Sequence, residues 1–421
     1  MAEWARFRKY ALRMRKLTEF RAPDVQSLGA LSVLQFWTIN KPLLPNLKSL
    51  FFWELCTPFI PYIPLFLSLN TTSILFGFHK PDIHKVMVAS MVTTLPRLCP
   101  NLQAITLYFL PRDPIITAAV SGILLATNRN TLQLFDAETP LTEEASEVIF
   151  NLSGLRSLSV VIERETSLPS ASLPNLTKLE ITCDNEGGWP RLFHGATLGK
   201  LESVSFYPES REIGDFLGAF ARVALSSSIQ NTLSELHLYT SCSWNPNYSS
   251  LLRFTQLVDL EVESPCENGC SSRVDDDTII SLSRAMPKLR SLKLGDEPCG
   301  EFMAGVTTKG LVALALRCPN LRYLRMHFQV ASLSAPPASP GTCRNTEPTG
   351  LWTNCALTDL VVGDMVVPEE SVLTVALTLL LIFPRIDCIE FTDEGWEKVE
   401  DAIHLSRGIV GCSSKHPFTI P

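Results

Sequence analysis

The chain has 421 residues and a formal net charge of -7, and it is 46% hydrophobic against 19% charged. That apolar content excludes a disordered chain. The acidic balance argues against a nucleic-acid binder, which would need clustered Lys and Arg to neutralise phosphates. A single compact core rarely serves so many residues, so several domains or one elongated repeat array is expected.

The N-terminus is a basic amphipathic segment. Residues 1–21 carry seven Lys or Arg against Glu3 and Glu19, and Trp4, Phe7, Ala11 and Met14 share one helical face. A helix over 1–16 that closes the end of an array is the expectation, with a membrane-surface helix or nuclear signal as the alternative. The segment lacks the unbroken apolar core of a secretory signal, and 12 cysteines are too dilute for a disulfide scaffold. A cytoplasmic or nuclear protein with reduced thiols is therefore expected. No membrane span is expected either, since Pro58, Pro61 and Pro64 break Phe51 to Leu69 and the apolar stretch from Ser371 to Phe383 is short.

From residue 17 onward a repeat takes over. Leucine is about one residue in seven, well above an ordinary share. The frame L-x-x-L-x-L recurs from LPNLKSLFF at Leu44 through CPNLQAITL at Cys99, LPNLTKLEI at Leu173, MPKLRSLKL at Met286 and CPNLRYLRM at Cys318 to FPRIDCIEF at Phe383. Fainter copies fit Arg13 to Phe20, Thr71 to Phe76 and Arg129 to Leu134. The L-x-L part is strand alternation, and the proline ahead of it stops the preceding helix and favours an extended neighbour. Helices are expected in the intervals. Asp275 to Asp277 would cap one bearing Ile279, Ile280 and Leu282, Thr307 or Thr308 would cap the next, and Ser371 to Leu381 supplies an unusually apolar third. Stacking such units buries one continuous core. The expected fold class is α/β, a curved leucine-rich-repeat solenoid over 17–402, with a parallel β-sheet on the concave face and helices on the convex face. A Pro/Ser-rich insertion at 331–350 interrupts it, and 403–421 is read as a C-terminal tail.

Two segments carry a family resemblance. Val306 to Leu324 resembles the cysteine-containing leucine-rich repeat of F-box proteins, and Trp4 to Leu17 resembles the stretch joining the F-box to the first repeat in fungal members. Membership would imply a substrate receptor of an SCF-type ubiquitin ligase. No F-box is found in the chain itself, so the SCF adaptor is expected as a partner only if one lies upstream. A scaffold or adaptor unrelated to ubiquitination is the alternative.

Motifs for chemistry are missing. No G-x-S-x-G, H-E-x-x-H or G-x-G-x-x-G occurs. His79 and His84 suit no helical metal face, and Cys266 and Cys270 lack two further ligands. Cys99 and Cys318, at equivalent repeat positions, read as buried small hydrophobes. No enzyme activity, metal or cofactor is expected, the rival being a site assembled from His237, Cys242 and Glu261. What remains is the concave face, whose outward positions follow from the frame. Phe51, Trp53, Tyr108, Tyr207, His237, Tyr239, Lys293, Arg325 and His327 are the candidate partner-binding residues, because aromatic and Arg side chains most often anchor interfaces. Lys293, Arg325 and His327 are read as a basic patch, Tyr207, His237 and Tyr239 as an aromatic region beside Glu261 and Glu263, and Phe51 with Trp53 as an apolar spot. The expected partner is a protein substrate, bound by a monomer.

Overall fold

The computed structural model describes residues 2–19, 25–37, 41–78, 84–129, 131–163, 171–183, 198–208, 220, 228–239, 248–263, 274–295, 305–333, 355–363, 365–391 and 393–407. The chain falls into two compact units, Met1–Ser210 with Arg222–Thr232, and Arg211–Ala221 with Leu233–Pro421. Each is an α/β solenoid. In the first unit the strands are β1 (Lys16–Glu19), β2 (Ser49–Leu55), β3 (Ser73–Phe78), β4 (Ala104–Tyr108), β5 (Leu134–Pro140), β6 (Ser157–Ile162), β7 (Lys178–Cys183) and β8 (Ser203–Pro208). The second holds β9 (Glu235–Tyr239), β10 (Asp259–Glu263), β11 (Ser291–Leu294), β12 (Tyr323–Met326), β13 (Asp359–Gly363) and β14 (Cys388–Phe391). Within each unit every strand pairs in parallel with its neighbours in sequence, in chain order.

The leucine frame supplies the inward side of these sheets. Leu289, Leu292 and Leu294 are at most 2% exposed, and full burial of each such side chain stabilises by roughly 1.5–3 kcal/mol. The faint copy near Arg129 is displaced by a few residues from the true frame. There the three buried positions are Leu132, Phe135 and Ala137, and Leu134, the last residue of the faint copy, is only the first residue of the strand. The faint copies at β1 and β3 do hold strands.

Where each strand begins, the carbonyl just ahead of it accepts two backbone N–H groups from the following repeat. The accepting residues are Arg15, Lys48, Thr72, Gln103, Gln133, Arg156 and Thr177 in the first unit, and Ser234, Val258, Arg290, Arg322 and Thr358 in the second, at 2.7–3.1 Å. The recurrent Pro-Asn has its own physical reason. The Asn46, Asn101 and Asn175 amides donate to Leu12, Leu69 and Ser153 carbonyls of the preceding repeat, tying loop to loop.

Prolines end helices as expected. Cys99, Met286, Cys318 and Phe383 each precede a proline and take ψ of 69°, 64°, 71° and 77°, outside the helical well. Asp275 caps Asp276–Ala285 by accepting from the Thr278 N–H at 2.8 Å, and Thr307 caps Thr308–Arg317. Asp276 joins these two helices, because its carboxylate accepts from the Thr307 N–H, the Thr307 hydroxyl and the Gly310 N–H at 2.8, 2.6 and 2.9 Å. The expectation of an α-helix in every interval is corrected. Thr57–Leu65 and Tyr248–Arg253 are 3₁₀ helices, and in the first of them Pro61 and Pro64 remove backbone N–H donors that a regular α-helix would use. Pro61 and Pro64 suit such tight turns, and Phe59, Ile60, Ile63 and Leu65 still reach the core.

Three boundaries also shift. The N-terminal helix is Ala2–Ala11, and Lys16 already belongs to β1. Ala331 to Leu333 of the predicted insertion lie in a short helix, Val330–Leu333, with both end residues buried, and 334–350 lie outside the described residues. The predicted tail begins inside Glu394–Ser406, where Ile403 is buried; 408–421 lie outside the described residues. That last helix serves β14. Its Glu400 carboxylate accepts the outward Ile389 N–H at 2.9 Å, and Arg407 donates to the Ile386 and Pro384 carbonyls. Among the described residues no helix is long and apolar enough to cross a membrane.

Candidate functional site

Register converts the predicted outward positions into lateral rows. In the first unit one row runs Thr18, Phe51, Leu75, Thr106, Asp136, Ser159, Glu180, Ser205. Thr18, Leu75 and Asp136 are additions, carried by the strands whose frame is faint. Two residues further along, Trp53, Tyr108 and Tyr207 also stand on this face. Three strands separate Tyr207 from Tyr108, so the predicted residues do not converge in one place.

Trp53 and Tyr108 do meet, although β3 lies between their strands. Their rings stack with centroids 5.9 Å apart and planes 11° apart. Gly77 of β3 makes this close packing possible. The β2–β3 register shifts between Phe52 and Leu55, and a Cβ on Gly77 would lie 2.2 Å from the Trp53 carbonyl oxygen. Trp53 remains 38% exposed. Beside the stack, Phe109 sits at φ 56°, a left-handed conformation that is uncommon for a bulky residue. Its N–H is held by the Glu138 carboxylate at 2.7 Å, and its ring is 48% exposed. Phe51, the other half of the predicted apolar spot, has the Lys16 ammonium 5.0 Å above its ring.

Carboxylates border these rings. Burial, the Asp136 charge and a hydrogen bond to Asp136 raise the Tyr108 hydroxyl well above its ordinary pKa. Burial likewise pushes the Asp136 carboxyl up, against the hydrogen bonds from Tyr108 and Ser159 and the charge of Lys178. Glu138 and Glu180 add negative charge at longer range.

In the second unit the corresponding row reads His237, Glu261, Lys293, Arg325, Val361, Glu390, with Tyr239 beside Glu263. The predicted basic patch is corrected here. Lys293 donates to Glu261 at 2.9 Å, and Arg325 lies 3.5 Å from Glu263, one and two strands away. His237 Nδ1 approaches the other Glu261 oxygen at 3.4 Å. The result is a neutralised network around Glu261, which is 5% exposed. His327 stands near the end of this network, its ring edge 3.8 Å from where a Gly295 Cβ would be, and Gly295 itself has φ +84°.

Burial pushes the Glu261 carboxyl up, but the Lys293 and Glu263 hydrogen bonds and the Lys293 and His237 charges outweigh it. The carboxyl therefore lies below its usual range. A folded pKa below the unfolded one stabilises above the unfolded value, and that gain is lost as pH falls through the folded value. Asp259, raised by burial, has the opposite sign, so its ionisation costs stability that acid restores. The stability gap between wild type and Glu261→Gln should accordingly be wide at pH 7 and narrow below about pH 4. Urea midpoints at both pH values check this, and a gap that widens in acid would overturn it.

For chemistry, the thiols at Cys99 and Cys318 are fully buried. Burial pushes them up to about 11 and about 12, which makes them inert as nucleophiles, as the repeat position implied. Among the described residues no group of three His, Cys, Asp or Glu is placed to hold a metal ion. His79, Cys242, Cys266, Cys270 and Cys299 lie outside the described residues.

No family model matches the chain, and no curated protein does. The open faces of the two units therefore stand as the candidate sites on their own geometry.

Proposed function

We propose that this chain is a non-enzymatic protein-recognition module, the arm of a substrate receptor resembling the F-box proteins of SCF-type ubiquitin ligases. Its protein partner would lie on the open sheet face, and ubiquitin transfer would belong to associated subunits. The observation that carries this reading is the Trp53 ring, left exposed on the sheet face near the end of β2, with the exposed Phe109 ring just past the end of β4. Exposed aromatic side chains flanked by charges are the usual anchors of protein interfaces.

The test is affinity purification of the full gene product from its own cells, with wild type compared against Trp53→Ala. Proteins captured by wild type and lost in the variant, together with the SCF adaptor and cullin, are the expected result. Partners captured without adaptor or cullin would move the protein to the scaffold reading. An identical protein set from both baits would overturn recognition through this face.

A further inference from the structure

We infer that the outer face of helix Val372–Ile382 pairs with the same helix of a second copy of this chain, antiparallel and about a two-fold axis through Leu377. The inference goes beyond the recognition reading, does not depend on it, and replaces the monomer expected from the sequence. A helix that is apolar all round belongs in an interior, and this one has no charged residue from Ser371 to Pro384. Its inner side is accounted for. Val375, Ala376, Leu379 and Ile382 are buried, and the Thr378 hydroxyl donates to the Leu333 carbonyl at 3.0 Å. Its outer side faces solvent instead. Leu373, Leu377 and Leu381 stand 62%, 47% and 58% exposed, and their four-residue spacing makes them a single ridge. Two other helices of this unit turn charged groups outward. Asp277 and Arg284 are exposed on Asp276–Ala285, and Glu397, Lys398 and Asp401 on Glu394–Ser406.

The charges at the two ends of the ridge decide the occupant. Glu369 and Glu370 stand exposed just ahead of the helix, and Arg385 stands exposed just behind it. Leu373 and Leu381 are equally far from Leu377 along the chain, and so are Glu369 and Arg385. An antiparallel pairing centred on Leu377 therefore sets Leu377 against itself, Leu373 against Leu381 and Glu369 against Arg385, each unlike contact made twice. A parallel pairing would set acid against acid, which like-charge repulsion disfavours. The Glu369 carboxylate already meets the Lys398 ammonium through Oε1 at 2.7 Å. A carboxylate accepts several donors, so the guanidinium of the second copy can join it. Such a self-complementary face is used up by two copies, so it closes as a dimer and does not propagate.

The test is sedimentation velocity on the full chain over a range of concentrations. Wild type should move from the chain mass to twice the chain mass as concentration rises, with no larger species. Leu377→Glu puts two like charges on the axis and should weaken the dimer by about tenfold or more. Leu377 is exposed within one chain, so at concentrations where wild type is monomeric the variant should keep the wild-type urea midpoint. Charge reversal gives the sharper result. Arg385→Glu alone and Glu369→Arg alone should each weaken self-association, because each sets like charges in contact. Mixed together, the two variants should recover dimers, since every acid then meets an arginine of the other chain.

A single monomeric species at every concentration, a dimer indifferent to Leu377→Glu, or a mass that keeps growing past the dimer would overturn the proposal. So would a mixture of the two charge variants that associates no better than either alone, because the antiparallel register would then be wrong. A monomeric wild type whose captured proteins are lost with Leu377→Glu would also sink it, by showing that the ridge seats a different protein. None of these measurements involves Trp53, so the recognition reading stands or falls separately.

Discussion

Replacing Trp396 with alanine is expected to cost the second unit about 3–5 kcal/mol, the range for deleting a fully buried large aromatic side chain. Trp396 is 0% exposed and among the largest fully buried side chains described. It packs edge-on against Phe328 at 6.1 Å, and its indole N–H donates to the Met365 carbonyl at 2.6 Å. Its helix is held in place around it, since the Asp393 carboxylate caps the Gly395 N–H at 3.0 Å and Gly395 has no room for a Cβ beside the Val367 carbonyl. Alanine would leave a cavity that this pinned helix cannot collapse to fill. Trp396→Phe separates the two contributions, keeping much of the packing while leaving the Met365 carbonyl without its donor, at about 1–3 kcal/mol. Urea unfolding followed by circular dichroism measures both. A loss under about 1 kcal/mol for alanine would show that Trp396 is not the anchor it looks to be.

Gly77→Ala should have the second-largest effect, and it reaches the candidate site. The added Cβ would sit 2.2 Å from the Trp53 oxygen and 3.0 Å from its carbonyl carbon, both backbone atoms that cannot rotate away. Either β2 or β3 must move, at about 1–3 kcal/mol or more for an overpacked interior. Because Trp53 moves with its backbone, its stack on Tyr108 should open as well. The expected outcome is a lower urea midpoint together with loss of the protein partners that wild type captures. Unchanged binding by a folded Gly77→Ala protein would show that the stack does not depend on the close approach of these strands.

Most of the fold was legible because the leucine frame encodes two things at once. The inward residues Leu289, Leu292 and Leu294 give strand alternation, and the same frame aligned across repeats gives the register that pairs Glu261 with Lys293. The basic patch was misread because side chains were followed along the chain, whereas charges on a parallel sheet neutralise one another across strands. That signal was present, since aligned frames place Glu261 beside Lys293. The Trp53–Tyr108 stack left no comparable trace. It depends on a register shift between β2 and β3 and on Gly77, and neither a strand bulge nor a glycine under a neighbouring backbone has a periodic signature. Phe109 was invisible for the same reason, as its left-handed backbone is fixed by Glu138 on another strand. β5 was placed too early because Phe135 and Ala137 fill positions where leucine was sought.

The contacts around β14 bear on self-association. A parallel sheet whose strands add in chain order presents, at its edge, backbone groups that any extended segment could match, which is how sheet proteins polymerise. Here part of that edge is already taken. Glu400 occupies the outward N–H of Ile389, and Arg407 occupies the carbonyls of Ile386 and Pro384. Glu400 mimics a neighbouring strand's acceptor without continuing its backbone, while Arg407 ties down the loop just ahead of β14. A second copy approaching this edge would have to displace a carboxylate to reach the Ile389 N–H, so the surface that could extend the sheet also resists fibre growth.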